Sequence, residues 1–577
     1  NGIEIGTETA WGRCVELGLP RLVFITREGQ HRADFERVLA SLSDTFGSGF
    51  APIELPLGEA DSFHGVADVL AEEAHEYDPD GRHHVEPIPA DVEAHERATH
   101  DQVVEEIVAG DDDQLERYLD GDEISTDDLE HTLAAEVLSE TEFPVLVGSG
   151  ATGIGVDRLG DYICRLGPSP SQRPTVVRAG DRDVELTPDP SEDPLLHVFK
   201  TVTDKYVGRI SVFRVVTGTL RPDRTLVDVR TGREQRLHGL FHLCGRDHIQ
   251  APRLVAGDIG AVTKLPDAMT GTTLAPADRR VEVPPAPLPE AHVAVALVPA
   301  TQSDDDKLPE ALQKLVQDDP SLVVGHDPLA QHAVLRVVGD AQLAVSIDRL
   351  ERKYGVDVST EDVRIPYCRT IARAVESEGR LKKQSGGHGQ FAVVNLRVSP
   401  LERGAGFEFV DGVVGGAIPK HYIAAVRSGI EDVMASGGSS HLPVVDVKVE
   451  CLDGKTHSVD SSDQAFRTAA STGFLDAVEA GGNVVLEPIT RLVVRVPVEV
   501  QGDVLGDLSA RRGRIVSSDT YGDGEQVITA EVPAAEITRY AMDLRAMTAG
   551  RGTFSATESH RDVVPDHLVE AALASVD

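Results

Sequence analysis

The chain has 577 residues, 41% hydrophobic and 26% charged, and 55 Lys and Arg against 96 Asp and Glu give a formal charge of −41. That length predicts about four domains rather than one core, and the absence of any run of roughly 18 apolar residues excludes a helical membrane span. The acidic balance excludes a protein that coats nucleic acid over its whole surface, but a sum of charges does not describe one contact face.

Five cysteines, Cys14, Cys164, Cys244, Cys368 and Cys451, are scattered and odd in number, with no CxxC pair. This spacing predicts no zinc or redox site and fits a reducing cytoplasm; each thiol is expected to fill a core. No metal ligands are predicted in the chain. The opening residues, Asn1-Gly2-Ile3-Glu4-Ile5-Gly6, read as the inside of a domain. The acid runs Asp111-Asp112-Asp113 and Asp304-Asp305-Asp306 read as solvated faces, and Lys382-Lys383 and Arg511-Arg512-Gly513-Arg514 as local basic spots.

In chain order, Thr9–Leu17 predicts a short helix and Arg21–Thr26 a buried strand. A mixed acidic segment from Asp34 to Glu140 reads as an inserted subdomain, ending in a Ser125-x-x-Asp128 cap before the periodic Leu129, Leu133 and Val137. Pro144–Val147 is a second buried strand, and Val156–Leu166 a helix. Between them Gly148-Ser149-Gly150-Ala151-Thr152-Gly153 fits G-x-G-x-x-G, but with no βαβ continuation and no acidic ribose partner it reads as a plain strand-to-helix loop rather than a nicotinamide site. Short β-branched runs from His197 to about Ala275 predict a β-barrel, and Pro284–Pro289 a stiff linker.

Strand Val293–Val298, helix Lys307–Val316, strands Leu322–Val324 and Val334–Val338, helix Ala341–Tyr354 and strand Val356–Val358 give β-α-β-β-α-β, the ferredoxin-like order. The same order recurs in Leu492–Val500, Val504–Ala510, Ile515–Asp519, Gln526–Val532, Ala535–Met547 and Gly552–Ser555, with a turn at Tyr521-Gly522-Asp523-Gly524. Between the two units lies an α/β segment with strands at Phe391–Val398 and Val444–Val449 and helices at Ile418–Ala435 and Asp463–Ala480. It carries two compact polar loops, Ser385-Gly386-Gly387-His388-Gly389-Gln390 and His457-Ser458-Val459-Asp460-Ser461-Ser462. Glycine admits close backbone approach and His, Gln and Ser supply hydrogen bonds without apolar bulk, so the pair suits an RNA-facing tip.

This domain order resembles translation elongation factor G over essentially the whole chain. The resemblance rests on Thr201-Val202-Thr203-Asp204-Lys205-Tyr206-Val207-Gly208-Arg209, Gly406-Phe407-Glu408-Phe409-Val410, Gly415-Gly416-Ala417-Ile418-Pro419 and Arg511-Arg512-Gly513. It implies a multidomain α/β and β fold: the remainder of a P-loop-type GTPase domain over 1–170 with an insert at about 36–140, a β-barrel over 190–285, a ferredoxin-like domain over 290–366, an α/β fourth domain over 367–487 and a second ferredoxin-like domain over 488–577. It further implies GTP or GDP with Mg2+ as ligand, both ribosomal subunits, rRNA, mRNA and tRNA as partners, a monomer off the ribosome, no membrane, and the cytoplasm.

Carried over residue by residue, the resemblance places Ser385, Gly386, Gly387, His388, Gly389, Gln390, His457, Ser458, Asp460 and Ser461 at the decoding centre, with Gln390 and His457 foremost. His388 stands where many relatives carry Arg, which lowers phosphate attraction at neutral pH. Arg511, Arg512 and Arg514 are expected against ribosomal RNA, since guanidinium forks match phosphates. The family's Asn-Lys-x-Asp guanine reader falls on Thr26-Arg27-Glu28-Gly29, with Gly29 at the acidic position, and its Ser-Ala support turn falls on Ser149 and Gly150.

Losing that charged acceptor costs about 1.5–3 kcal/mol, roughly ten- to hundredfold in affinity. No G-x-x-x-x-G-K-[ST] string occurs, and the family's catalytic and magnesium-binding residues fall upstream of Asn1. Gly339-Asp340-Ala341-Gln342-Leu343 also departs from the usual Gly-Glu-Leu-His-Leu. The implied function is a ribosome-binding factor with its fourth domain in the decoding centre and weak or absent GTP-driven translocation, serving regulation, recycling or idle ribosomes. The alternative is an active GTP-hydrolysing translocase whose phosphate loop is missing from this chain. A drug-removing ribosome-protection factor is disfavoured by the retained Gly-Gly-x-Gly-Gln string and His457.

Overall fold

The computed structural model describes residues 2–574 except 32, 205–206, 246, 266, 327–331, 384–388, 522–523 and the side chain of 439. The chain divides into two compact units, Asn1–Ala286 and Pro287–Asp577.

In the first unit, helix Ile5–Glu16 begins four residues before the expected Thr9, its start marked by the Glu4 amide donating to Thr7 Oγ1 at 3.4 Å. Three short strands form a parallel sheet in the order Val23–Ile25, Phe143–Val147, Phe50–Pro52. Phe143–Val147 is buried throughout. Val23–Ile25 is only half-buried, against the expectation of a buried strand, because it walls an open cleft.

The segment read as an insert is less separate than the sequence suggests. It supplies strand Phe50–Pro52 to the parallel sheet, and its Leu55, Val66, Val104 and Leu133 share one buried core with Val145 and Tyr162. Its own part is an antiparallel meander of Glu54–Leu57, Gly65–Asp68, Glu73–Tyr77 and His83–Pro87, followed by helices Glu93–Val108, Asp112–Leu119 and Thr126–Ser139. Ser125 caps the last as expected, accepting from the Asp128 amide at 3.2 Å, and Leu129, Leu133 and Val137 are buried on it.

The acid runs prove to be helix starts. Asp111 accepts from the Gln114 amide at 3.0 Å, and Thr301 from the Asp304 amide at 3.3 Å, so helices Asp112–Leu119 and Gln302–Asp318 each carry acids in the first turn. Negative charge is favourable at that end of a helix dipole, which also explains why the second helix starts before the expected Lys307.

An eight-stranded antiparallel sheet follows, running from Glu234–Leu237 through Arg224–Asp228, Thr273–Ala275, Leu195–Asp204, Gly208–Thr217, Ile259–Thr263 and Phe241–Cys244 to Asp247–Gln250. Leu237 from one end of this path shares a buried core with Leu240, beside the other end, and with Phe213 and Val262; the sheet therefore curls around its own interior, as a barrel does. A hairpin that the sequence did not disclose, Thr175–Ala179 with Arg182–Leu186, inserts Val177 into a second cluster with Leu195, Val216 and Ala275.

In the second unit, the sheet order Val323–His326, Ala333–Val337, Val293–Pro299, Val358–Asp362 is antiparallel throughout, the ferredoxin-like arrangement. Its last strand starts where the predicted one ended. The C-terminal copy has the same order, Arg514–Tyr521, Glu525–Pro533, Asn483–Pro497, Thr553–Val563. Here the first strand begins nine residues before the predicted Leu492, and its early part pairs with Cys368–Ile371, so a single strand runs through the boundary drawn at 487. The predicted helix Ala535–Met547 is a 3-10 turn, Ala534–Glu536, and a shorter helix, Tyr540–Met547.

The intervening domain has a sheet ordered Val375–Lys383, Gln390–Pro400, Val447–Lys455, Phe407–Asp411, and helices Lys420–Ser436 and Asp463–Ala480 bury Ile430, Phe466 and Phe474 with its Val394 and Val449. Cys368 and Cys451 are buried as expected; Cys164 and Cys244 are exposed and fill no core. Among the described residues, no helix is long and apolar enough to cross a membrane.

Candidate nucleic-acid interface

The two polar loops leave the same end of one sheet. Strand Gln390–Pro400 begins where the first loop stops, and its neighbour Val447–Lys455 ends just before the second. Residues 385–388 of the first loop lie outside the described residues. Its last glycine is held by the second loop: the Gly389 amide donates to Asp460 Oδ1 at 3.1 Å, and the Phe391 amide to the Asp460 carbonyl at 2.8 Å. A Cβ on Gly389 would stand 3.0 Å from that carboxylate, so glycine permits the contact.

Ser461 locks the second loop on itself. Its hydroxyl donates to the Phe391 carbonyl at 2.7 Å and accepts from the His457 amide at 2.8 Å. His457 Nδ1 lies 3.0 Å from Asp460 Oδ2, and its ring sets edge-on to Phe391 at 6.1 Å. Ser462 then caps helix Asp463–Ala480 through the Ala465 amide. The loop is thus rigid backbone presenting exposed His457, Ser458 and Val459 outward.

A third segment, which the sequence reading did not assign to the site, reaches this end. Tyr422 donates to the Ser461 carbonyl at 3.1 Å, and Ile418 packs where a Cβ on Gly454 would fall. This brings Lys420 and His421, at the start of helix Lys420–Ser436, beside the loops. The signal was present as Gly415-Gly416 ahead of Pro419, a glycine turn before a helix start. Lys382, Lys383, Lys420 and Lys455 are exposed, and among the described residues none of them forms an ion pair. In a chain of net charge −41, this end is locally cationic, as phosphate contact requires.

Two of the three arginines of the last domain are engaged within the chain. Arg511 holds Asp507 at 2.7 Å and Asp543 at 2.8 Å. Arg512 joins Glu487 at 2.7 Å to Glu536 at 2.9 Å. Both forks are saturated by the chain's own carboxylates, which stabilise the charged guanidinium, so they are internal staples. Arg514 pairs with Glu531 but remains 73% exposed. In the third domain, Gln342 likewise serves the fold: it accepts from the Val338 amide at 2.7 Å and donates to Asp319 and Ser321.

The guanine-side residues do come together in the first unit. A Cβ on Gly29 would lie 3.9 Å from Ser149 Oγ, and one on Gly150 would lie 4.0 Å from Thr26 Oγ1. Arg27 occupies the left-handed region at φ 70° and turns the chain so that the Glu28 amide donates to the Gly148 carbonyl at 3.3 Å. Glu28 is consequently buried. Burial first, then Glu59 and Asp34, push its carboxyl up toward the neutral form. The adjoining cleft of about 680 Å3 is lined by Thr26, Arg27, Glu28, Gln30, Asp34 and Arg37, among others.

These residues do not fit a guanine in the family's manner. Gly29 offers no carboxylate, and Glu28 is buried, with burial shifting its carboxyl toward the neutral form. The Gly148 turn also shows why its glycines exist: a Cβ there would strike the Ile154 carbonyl at 2.5 Å and the Phe24 ring at 2.6 Å. Close packing, and no phosphate, accounts for that glycine.

Family models match most of this architecture. Elongation factor G domain 2 matches residues 196–276, Elongation Factor G domain III residues 288–362, Elongation factor G domain IV residues 363–482, and Elongation factor G C-terminus residues 484–572. An Elongation factor G-like protein of Thermotoga maritima is 36% identical over 571 residues, which is 99% of this chain and 83% of that one. A crystal structure of a protein from Thermus thermophilus superimposes with a TM-score of 0.78 at 35% identity, covering all of this chain and 84% of its own.

Proposed function

This chain belongs to the elongation factor G family, and we propose that it is a translation factor that engages the ribosome through the paired polar loops of its fourth domain while reading guanine nucleotide weakly. The observation that carries the first half is the Asp460–Gly389 clasp, which joins the loops of exposed His457 and Gln390 at an end of the domain where four exposed lysines also lie. Side chains of this kind suit phosphate and sugar positioning together with hydrogen bonds to base edges. The hydrogen-bonded backbone of the His457–Ser462 loop means little ordering cost there on contact. RNA at the decoding centre is the partner this chemistry fits, with Arg514 a second contact on the last domain.

The second half rests on Gly29 and Glu28. With no carboxylate at Gly29 and that of Glu28 buried, guanine is not distinguished from adenine by a charged hydrogen-bond pair, and binding loses roughly ten- to hundredfold. A factor of this kind occupies ribosomes with little GTP-driven translocation, which suits regulation, recycling or idle ribosomes. The test is co-sedimentation of the full-length protein with ribosomes, together with ribosome-dependent GTP hydrolysis. We expect Gln390→Ala with His457→Ala to lower occupancy at least fivefold with unchanged melting. Undiminished occupancy sinks the interface, and turnover equal to a standard translocase sinks the weak-nucleotide reading.

A further inference from the structure

The first unit holds a cluster of ligand-type side chains remote in sequence from both sites. Helix Glu93–Val108 carries Glu96 and His100 four residues apart, a spacing that puts both on one face. Glu72, in the turn between strands Gly65–Asp68 and Glu73–Tyr77, joins them: one ligand atom from each of Glu72, Glu96 and His100 lies within 4.8 Å of the other two. None of these residues belongs to the loops or the guanine-side turn.

Two independent features distinguish this cluster from a chance meeting of surface acids. Glu96 is 3% exposed, and its Oε1 has no hydrogen-bond partner. A buried carboxylate oxygen left unpaired is costly, and a cation is the ligand that satisfies it. His100 is oriented from behind: its Nδ1 lies 2.7 Å from the Val69 carbonyl. A carbonyl only accepts, so Nδ1 carries the proton and Nε2 keeps its lone pair for a ligand. This backbone anchoring of the far nitrogen is the arrangement found behind metal-bound imidazoles.

The turn that presents Glu72 is also fixed. Asp68 Oδ1 accepts from the Leu70 and Ala71 amides at 3.0 and 2.9 Å, and Thr126 donates to the Leu70 carbonyl at 3.2 Å. Glu72 itself stands in the left-handed region, at φ 54°. Rigid elements on both sides hold the ligands near one point. Zinc bonds to nitrogen and oxygen are about 2.0–2.2 Å, so ligand atoms no more than 4.8 Å apart can close on one ion, with the exposed Glu72 side chain able to turn toward it.

We propose that Glu72, Glu96 and His100 bind one divalent transition-metal ion of the zinc class, with water completing the shell. The imidazole nitrogen favours zinc, cobalt or nickel over magnesium or calcium, which prefer all-oxygen shells. The ion clasps the Val69–Glu72 turn to helix Glu93–Val108 and so ties the meander of the first unit to its helices.

The test uses the full-length protein, stripped with chelator and titrated with Zn2+ by calorimetry, with thermal unfolding followed alongside. One equivalent is expected to bind and raise the unfolding temperature, and Co2+ in its place is expected to give a visible d–d band. His100→Gln and Glu72→Gln should each weaken Zn2+ at least tenfold and abolish the band. Because Glu72 is exposed, its variant keeps the test decisive even where Glu96→Gln fails to fold. Absence of saturable binding overturns the proposal. So does binding unchanged in both variants, since the chain has 21 histidines and those other than His100 could hold zinc elsewhere.

Discussion

Asp460 accepts a hydrogen bond from the Gly389 amide across an interval of 71 residues, and this bond helps fix where the two polar loops of the fourth domain meet. The bond has a charged acceptor, so its loss costs about 1–2 kcal/mol locally at a half-exposed site. Asp460→Ala is expected to speed hydrogen exchange at the Gly389 amide roughly tenfold, with global melting hardly moved. Unchanged exchange at that amide would mean that the loops are held together by other contacts.

Arg512 and Arg514 neighbour each other in sequence and differ in what they hold. Arg512 binds Glu487, whose side chain is 3% exposed, whereas Arg514 is itself 73% exposed. Removing Arg512 strands a buried carboxylate, and Arg512→Ala should destabilise the second unit by about 3 kcal/mol. Arg514→Ala should cost at most about 1 kcal/mol. Urea unfolding of the two variants decides the matter; equal losses would contradict the staple assignment.

How much of this was legible in the sequence depends on the range of each interaction. Both ferredoxin-like units could be read because strand and helix periodicities there alternate cleanly, as in Val293–Pro299 against Gln302–Asp318. Strand Val375–Lys383 escaped notice because six of its nine residues are charged or Gly, and only Gly379 is buried. The RNA-facing loops were visible as polar glycine strings, whereas their clasp was not, because it joins residues far apart in the chain. The pairing of Arg511 with Asp543 and of Arg512 with Glu487 is likewise tertiary, which is why three consecutive-looking cations suggested a phosphate contact. The burial of Glu28 depends on Gly148, far along the chain, and no local pattern carries it.

Two buried acids, Glu54 and Glu136, and the half-buried Glu142 contribute to the pH response of the first unit. Burial first pushes Glu54 and Glu136 up to about 8 and Glu142 up to about 7. Their unfolded values are near 4.5, so between these limits the folded chain binds more protons than the unfolded one. Stability therefore falls as pH rises from about 4.5 toward 8. Thermal unfolding is expected to shift downward from about pH 5.5 to about pH 8, and Glu136→Gln to flatten that slope. A melting temperature that climbs with pH over this window would show that these carboxyls are solvated.

Gly29 is the position at which guanine reading can be restored. A Cβ there finds its nearest neighbours, the Ala60 carbonyl, a Phe63 ring carbon and Ser149 Oγ, all at 3.9 Å, and the backbone φ is outside the left-handed region. The first side-chain atom of an aspartate is thus accommodated without a clash, beside the Ser149 turn. Glu59 and Asp34, the acids that already act on the adjacent Glu28, oppose its ionisation in part, so the gain should fall at the lower end of the range for a charged hydrogen bond, about 1.5 kcal/mol. Gly29→Asp is expected to tighten fluorescent GDP binding roughly tenfold over the natural chain, with Gly29→Asn giving less because it lacks the charge. Equal affinity in all three proteins would mean that this turn does not face the base, and the weak nucleotide reading would then have to be traced to another part of the cleft.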